Sequence, residues 1–254
     1  LNSLLLYRMV LPRDVLLGYT DSKIDRLQKK LNSDKRIGII ETEVQKRQAE
    51  IDGLASSKQV LVELPAYEDE VTFRIGQIYA EIKRFWEGFV LFDKLYQQDR
   101  TSEIGEAAML QSVLVLYDVK EIKRAEERIL TYLSEQPDGQ YARTLLSLMM
   151  RDNLVKQEFA DVVRLKDSMD LIPESSNIDE RALQADLHYM MAFGQFQSRN
   201  YAGAEDEFGM ILAEYQNSIH FNDARYYRGM TRMLQACYAE ALEDFVTYRD
   251  QNGS

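Results

Sequence analysis

Cys237-Tyr-Ala-Glu-Ala-Leu-Glu-Asp-Phe245 is echoed 37 residues earlier by Asn200-Tyr-Ala-Gly-Ala-Glu-Asp-Glu-Phe208, and the echo decides the fold. In both, a tyrosine (Tyr201, Tyr238) is followed three residues on by an alanine (Ala204, Ala241) and four further by a phenylalanine (Phe208, Phe245). Residues so spaced share one face of a helix, with the alanine where another helix must come close.

The register extends outward from these two segments. Steps of 37 lead from Gly88 to Ala125 and Val162, and Val162 lies 42 residues before Ala204. Three residues before each small position stands Phe85, Ile122, Phe159, Tyr201 or Tyr238; four after it stands Phe92, Ile129, Lys166, Phe208 or Phe245. Only Lys166 breaks the apolar pattern, which makes the third unit the most degenerate. The five-residue excess in the longer step is assigned to a loop at Leu171–Glu180, which carries Pro173 and serines. Pro137 and Pro173 close the second and third units, because proline cannot continue a helix. The repeats run over 67–101, 102–138, 139–175, 178–217 and 219–254, within a repeat region from 66 to 254.

Ahead of them, residues 1–20 form an apolar lead-in helix or cap, and 21–65 a helical segment. There Ile37, Val44 and Ile51 are spaced by sevens, as are Ile40, Arg47, Leu54 and Leu61, with Arg47 in a place that should be apolar. Ile24, Leu27 and Leu31 form a stripe in a shifted register. Two readings follow: a coiled coil with a break near Ser33-Asp34, or an antiparallel hairpin turning at Asn32-Ser33-Asp34. Pro65 ends the segment.

Composition agrees with helices. Four prolines and 12 glycines in 254 residues are few. A net charge of -11 argues against nucleic acid as partner. The single cysteine, Cys237, excludes an intrachain disulfide. The longest apolar run, Leu4 to Leu11, is interrupted by Arg8 and stopped by Pro12, too short for a bilayer span.

A helix pair with Gly or Ala in the first helix, then an aromatic, Ala and a second aromatic in the next, resembles the tetratricopeptide repeat. Ala224-Arg-Tyr-Tyr-Arg-Gly229 with Tyr238, Ala241, Phe245 and Tyr248 shows it best. The resemblance implies an all-α solenoid, a right-handed superhelix of about five units. The period departs from the family's usual ~34 residues, and Arg228, Arg232 and Gln195 stand where apolar or aromatic residues are usual. The longer units, with the helical segment before them, resemble tetratricopeptide proteins of the bacterial envelope, such as the TolA-binding protein of the Tol-Pal system and the BamD-type lipoproteins. That favours a periplasmic, cell-envelope setting over the cytoplasm.

Little in the sequence points to catalysis, and no metal or cofactor is expected. His188 and His220 lack a ligand-type residue four positions away, and read as a packing and a loop histidine. No Gly-rich phosphate loop is present. Glu205-Asp206-Glu207 and Glu243-Asp244 read as solvated carboxylates on second helices. The resemblance instead implies a non-enzymatic scaffold whose first helices line a groove for a partner peptide or helix. Carried onto this chain, the lining comprises Phe73, Gln77, Leu110, Leu114, Tyr117, Ser147, Arg151, Tyr189, Phe193, Phe196, Tyr226, Met230 and Met233, several of which could equally be inter-repeat core. Two alternatives stand beside it: an oligomeric adaptor assembled through 21–64, and a small-ligand sensor with a cavity among Tyr189, Phe193 and Tyr226.

Overall fold

The computed structural model describes residues 2–37, 40–64 and 67–252, and no strand occurs among them. The helices are α1 (Asn2–Arg8), α2 (Arg13–Ile37), α3 (Glu41–Glu63), α4 (Glu68–Glu81), α5 (Phe85–Gln98), α6 (Glu103–Asp118), α7 (Ile122–Glu135), α8 (Ala142–Val155), α9 (Phe159–Arg164), α10 (Lys166–Leu171), α11 (Ile178–Gln197), α12 (Tyr201–Glu214), α13 (Phe221–Leu234) and α14 (Tyr238–Asn252). They form two compact units, 1–115 and 116–254, with the boundary inside α6. No helix is long and apolar enough to cross a membrane among the described residues. Pro65 lies outside those residues.

From α4 onward the helices come in pairs, and one turn recurs between the first and second helix of each. Lys83, Lys120, Gln157, Arg199 and Ala236 all have φ of 62° to 64°. At each, the amide of the left-handed residue reaches back three residues and the next amide five, as with Lys83 to the Ala80 carbonyl at 3.0 Å and Arg84 to that of Tyr79 at 2.8 Å. Cys237 repeats it on the Arg232 carbonyl at 2.9 Å. This double bond pattern satisfies carbonyls that a helix end otherwise leaves orphaned. Its five occurrences are 37, 37, 42 and 37 residues apart, the steps of the sequence register.

Packing follows the same register. Ala125, Val162 and Ala204 are fully buried, as are Phe92, Ile129 and Phe208. Gly88 is buried with its Cα against the Gly76 carbonyl, where a Cβ would come within 2.9 Å of the oxygen. A Cβ on Gly76 would stand 2.7 Å from the Phe92 ring, and one on Gly229 2.9 Å from that of Phe245. These are the close approaches that the small residues permit, and each buried aromatic adds about 1.5–3 kcal/mol.

Where the register is polar, the structure supplies partners. Lys166 opens α10, because the second helix of the third pair breaks at Leu165. Its Nζ lies 2.9 Å from Glu207 Oε1, and Glu207 Oε2 lies 2.6 Å from His188 Nδ1. Arg228 makes a two-pronged bond to the buried Asp244, at 3.0 and 2.6 Å. Arg232 joins Asp244 (2.9 Å) to Glu205 (2.7 Å). The carboxylates read as solvated are therefore corrected in part: Glu205, Glu207 and Asp244 clamp helices together.

The five-residue excess is also relocated. The connection 172–177 is ordinary in length, and the extra residues extend α11 at its start. Asn177 caps that start by accepting from the amides of Asp179 (2.9 Å) and Glu180 (3.2 Å). The buried Arg143 of α8 holds the extension through Glu180 (2.9 Å), Gln184 (3.2 Å) and the Pro173 carbonyl. Arg181 donates to the Glu214 carbonyl at 2.7 Å and lies over the Tyr215 ring.

In the first unit, α2 and α3 form an antiparallel hairpin. Asp34 pairs with Arg47, and Asp21 with Lys58 at 2.5 Å. The chain does not turn at Asn32-Ser33-Asp34: α2 runs through it, and Asp34 faces the partner helix because Arg47 needs a counter-ion there. The seven-residue columns hold for Val44, Arg47, Ile51, Leu54 and Leu61, none of them exposed, whereas Ile37 and Ile40 at the turn are exposed. The lead-in α1 buries Leu4 and packs on α4. Arg8 at its end bonds the Tyr79 hydroxyl, and Tyr67 donates to the Leu11 carbonyl at 2.8 Å.

Candidate functional site

The residues expected to line a groove divide between the two units. In the first, Phe73 is core: it is buried edge-on against Phe92, ring centroids 5.5 Å apart, and is withdrawn from the lining. Gln77 is half-buried and accepts from Arg74 at 3.0 Å, while Leu114 is exposed. In the second unit, Tyr117 has its hydroxyl buried without a hydrogen-bond partner. Burial foremost, then the charges of Asp152 and Glu126, push that phenol well above its usual range. Ser147 is buried and withdrawn as well.

Tyr189, Phe193 and Phe196 on α11 are half-buried in an aromatic ladder that joins consecutive pairs. Phe193 meets Phe159 at 6.4 Å and Tyr227 at 5.7 Å, Phe196 meets Tyr201 at 6.0 Å, and Tyr189 meets Phe208 at 6.1 Å. Of the three rings expected to border a ligand cavity, Tyr189 and Phe193 stack at 6.5 Å and Tyr226 packs on Tyr227 at 5.5 Å. Burial raises the Tyr189 phenol to about 12, with Asp223 and Tyr227 adding to it. A cleft of about 370 Å³ lies elsewhere, between the extended start of α11 and the loop after α12, lined by Ile178, Arg181, Ala185, Tyr215 and Asn217.

Arg151, Tyr226, Met230 and Met233 keep solvent-facing surface on first helices. Tyr226 and Met233 are each 39% exposed, and Met230 is half-buried between them in sequence. Tyr226 packs on Tyr248 and Phe245, centroids 5.4 and 5.9 Å away, so its ring is held in place. The exposed Arg151 of α8 bonds Asp186 of α11 at 2.9 Å, whose other oxygen lies 2.9 Å from His220 Nε2, ahead of α13. His220 stacks on Tyr189 at 4.2 Å and 8°. Three successive first helices are thereby linked by one line of polar contacts. Asp186 was missed from sequence although it lies three residues before Tyr189, on the same helix face. His220, expected to be a plain loop histidine, belongs to this line.

Burial also pushes the Glu207 carboxyl up, but its bonds to His188 and Lys166 outweigh that and leave it below the ordinary carboxylate range. That site is buried among α10, α11 and α12 and is structural. No cluster of three or more His, Cys, Asp or Glu able to hold a metal occurs among the described residues.

The chain is built of tetratricopeptide-like helix pairs. No family model and no curated protein matches it. Among solved structures it is similar to one named MamA AMB-1, at 13% identity and a TM-score of 0.48, over 73% of this chain and 93% of that chain. A likeness of that size carries no weight beside the five recurring turns and the burial of the register positions.

Proposed function

We propose that the chain is a non-enzymatic protein-interaction scaffold that binds a partner polypeptide on the first-helix face of its second unit. The carrying observation is the pair Tyr226 and Met233, seven residues apart on α13 and both partly exposed, with the Tyr226 ring held by Phe245 and Tyr248; a polar line from Arg151 through Asp186 to His220 runs along the first helices of the same unit. Preorganised aromatic and Met surface suits apolar anchors of a partner segment, and rigid placement lowers the entropy lost on binding. The polar line orients the partner's backbone or charged side chains beside them. The net charge of -11 favours segments with basic flanks and makes association faster at low salt.

Affinity capture from native extract, comparing wild type with a Tyr226→Ala, Met233→Ala double variant, tests the placement. Loss of a specific polypeptide from the variant is expected, and equal recovery of every partner refutes it.

A cell-envelope adaptor is the finer reading. Its support is the 37-residue period and the helical hairpin ahead of the repeats. Fractionation of the source cells tests it: recovery with the soluble cytoplasmic contents would end it. An oligomeric adaptor assembled through 21–64 would use the outer surface of the α2–α3 hairpin, where Val60 and Val62 are exposed.

A further inference from the structure

We propose that the cleft beside the start of α11 binds a free α-amino acid with an apolar side chain, Arg181 taking its carboxylate and Glu214 its ammonium group. The site is separate from the face that carries Tyr226 and Met233, and it owes its existence to the extension of α11. One step of 37 back from Phe221, where α13 begins, is Gln184, yet α11 begins at Ile178. Ile178, Arg181 and Ala182 on that added stretch form one wall, and the end of α12 with the connection that follows, 213–218, forms the other. At about 370 Å³ the space is at the small end of ligand pockets, which suits one small molecule.

Charge selects the ligand. Arg181 donates to the Glu214 carbonyl at 2.7 Å and its guanidinium lies 5.0 Å from the centre of the Tyr215 ring, so the group is fixed in place. Neither Arg181 nor the exposed carboxylate of Glu214 has an ion-pair partner among the described residues, and although both line the cleft they do not pair with each other. An unpaired cation beside an unpaired carboxylate suits a zwitterion, whose two ends each gain a charge-assisted bond. A bare anion is opposed, because Asp179 stands in the first turn of α11 and Glu174 acts on the Tyr215 phenol, which burial foremost and then that charge push up. Glu180 is already engaged, bonded to Arg143 at 2.9 Å. The amides of Gln216 and Asn217 bond to no described group and are further donors at the cleft for the carboxylate.

The rest of the lining selects the side chain. Ile178 is 84% exposed and Ala182 is exposed beside the cleft, while Tyr215 is buried with its ring against both Arg181 and His188. An apolar side chain laid on Ile178 and Ala182 removes that surface from water, which a charged or absent side chain cannot do. The cleft is preformed, because Arg143 holds the extension and Tyr215 holds Arg181, so little ordering is lost on binding. A ligand in this place joins α11 to the connection between α12 and α13, and so ties consecutive pairs together.

Titration of the full chain with leucine, phenylalanine, glycine, aspartate and lysine, followed by backbone amide NMR shifts, tests the site. Leucine or phenylalanine should bind with a dissociation constant of about 0.1–1 mM and move the amides of Gln216 and Asn217, with the other three at least about tenfold weaker. Leucinamide, which lacks the carboxylate, and N-acetyl-leucine, which lacks the ammonium group and mimics a polypeptide's end, should each bind at least about tenfold more weakly than leucine. Arg181→Gln and Glu214→Gln should weaken leucine or phenylalanine to the same degree. Ala182→Trp, which fills the cleft and keeps both charges, should abolish binding. Glu214→Gln and Ala182→Trp change exposed side chains and should melt with wild type, so their loss of binding is not loss of fold. No shift with leucine or phenylalanine up to about 10 mM overturns the proposal. So does binding that leucinamide or N-acetyl-leucine matches, that survives any of the three substitutions, or that moves amides elsewhere and leaves those of Gln216 and Asn217 in place.

Discussion

The five left-handed turns allow a graded test of the repeat architecture. None of Lys83, Lys120, Gln157, Arg199 and Ala236 is glycine, yet each holds φ near 62°. An L-residue there costs about 1–2 kcal/mol, and glycine recovers most of that while adding about 0.4–1 kcal/mol of unfolded-state entropy. Substitution by glycine should therefore stabilise by roughly 0.5–1 kcal/mol. The five are not equivalent, because a cation just past a helix end gains about 0.3–1 kcal/mol from the helix dipole. Gln157→Gly and Ala236→Gly should show the full gain, while Lys83→Gly, Lys120→Gly and Arg199→Gly should lie near zero at low salt and rise toward it as salt screens the dipole. The sites lie in separate turns, so gains within the second unit should add. Thermal denaturation followed by circular dichroism reads this as about 2–4 °C per kcal/mol. Ala236→Pro, which cannot adopt a positive φ, should lose about 3 kcal/mol or more. If Ala236→Gly destabilises, or Ala236→Pro is neutral, the turn geometry and the shared register built on it are wrong.

Further outcomes follow from packing and charge. Gly76→Ala should cost about 1–3 kcal/mol because Phe92 is fully buried and cannot yield, and Gly229→Ala less, since Phe245 is only half-buried; Gly209→Ala, with nothing within 4 Å, should stabilise by about 0.5–1 kcal/mol. Urea titrations separate the three. Glu207→Gln should cost about 2–3 kcal/mol at neutral pH, less than a wholly buried pair because Lys166 retains Asp170. Since the folded Glu207 pKa is depressed, its contribution is present above the unfolded carboxylate value and is lost as pH falls below it; acid denaturation of wild type should show this loss and that of the variant should not. Arg143→Met should cost about 2–4 kcal/mol and raise amide exchange selectively over the start of α11, because it removes three bonds that hold the extension.

Much of the fold was legible because close helix approach leaves a trace in residue size. Gly88, Ala125, Val162, Ala204 and Ala241 could be aligned without coordinates, and their burial follows. The turns were not legible, since glycine is the usual mark of a left-handed position and none of the five carries it. The α11 extension was hidden by Pro173 and its serines, which suggest loop, while its anchor, Arg143, lies over thirty residues away. The polar clamps showed only as breaks in pattern: Lys166, Arg228 and Arg232 looked like departures, and only the approach of Glu207, Asp244 and Glu205 makes them pairs. For the candidate site, periodicity found the helix face but could not tell which aromatics a neighbouring pair covers. Tyr189, Phe193 and Phe196 went to the ladder, Phe73 to the core, and Tyr226 and Met233 kept their surface.

The most direct measurement of the central claim is site-specific photocrosslinking in the source cells, with a photoreactive phenylalanine analogue placed in turn at Tyr226, at Met233 and at Met210, which is exposed on the second helix α12. One and the same polypeptide should be captured from positions 226 and 233 and be absent from position 210. Capture from position 210 alone, or no adduct from 226 and 233 with the protein folded, would contradict a partner site on the first-helix face.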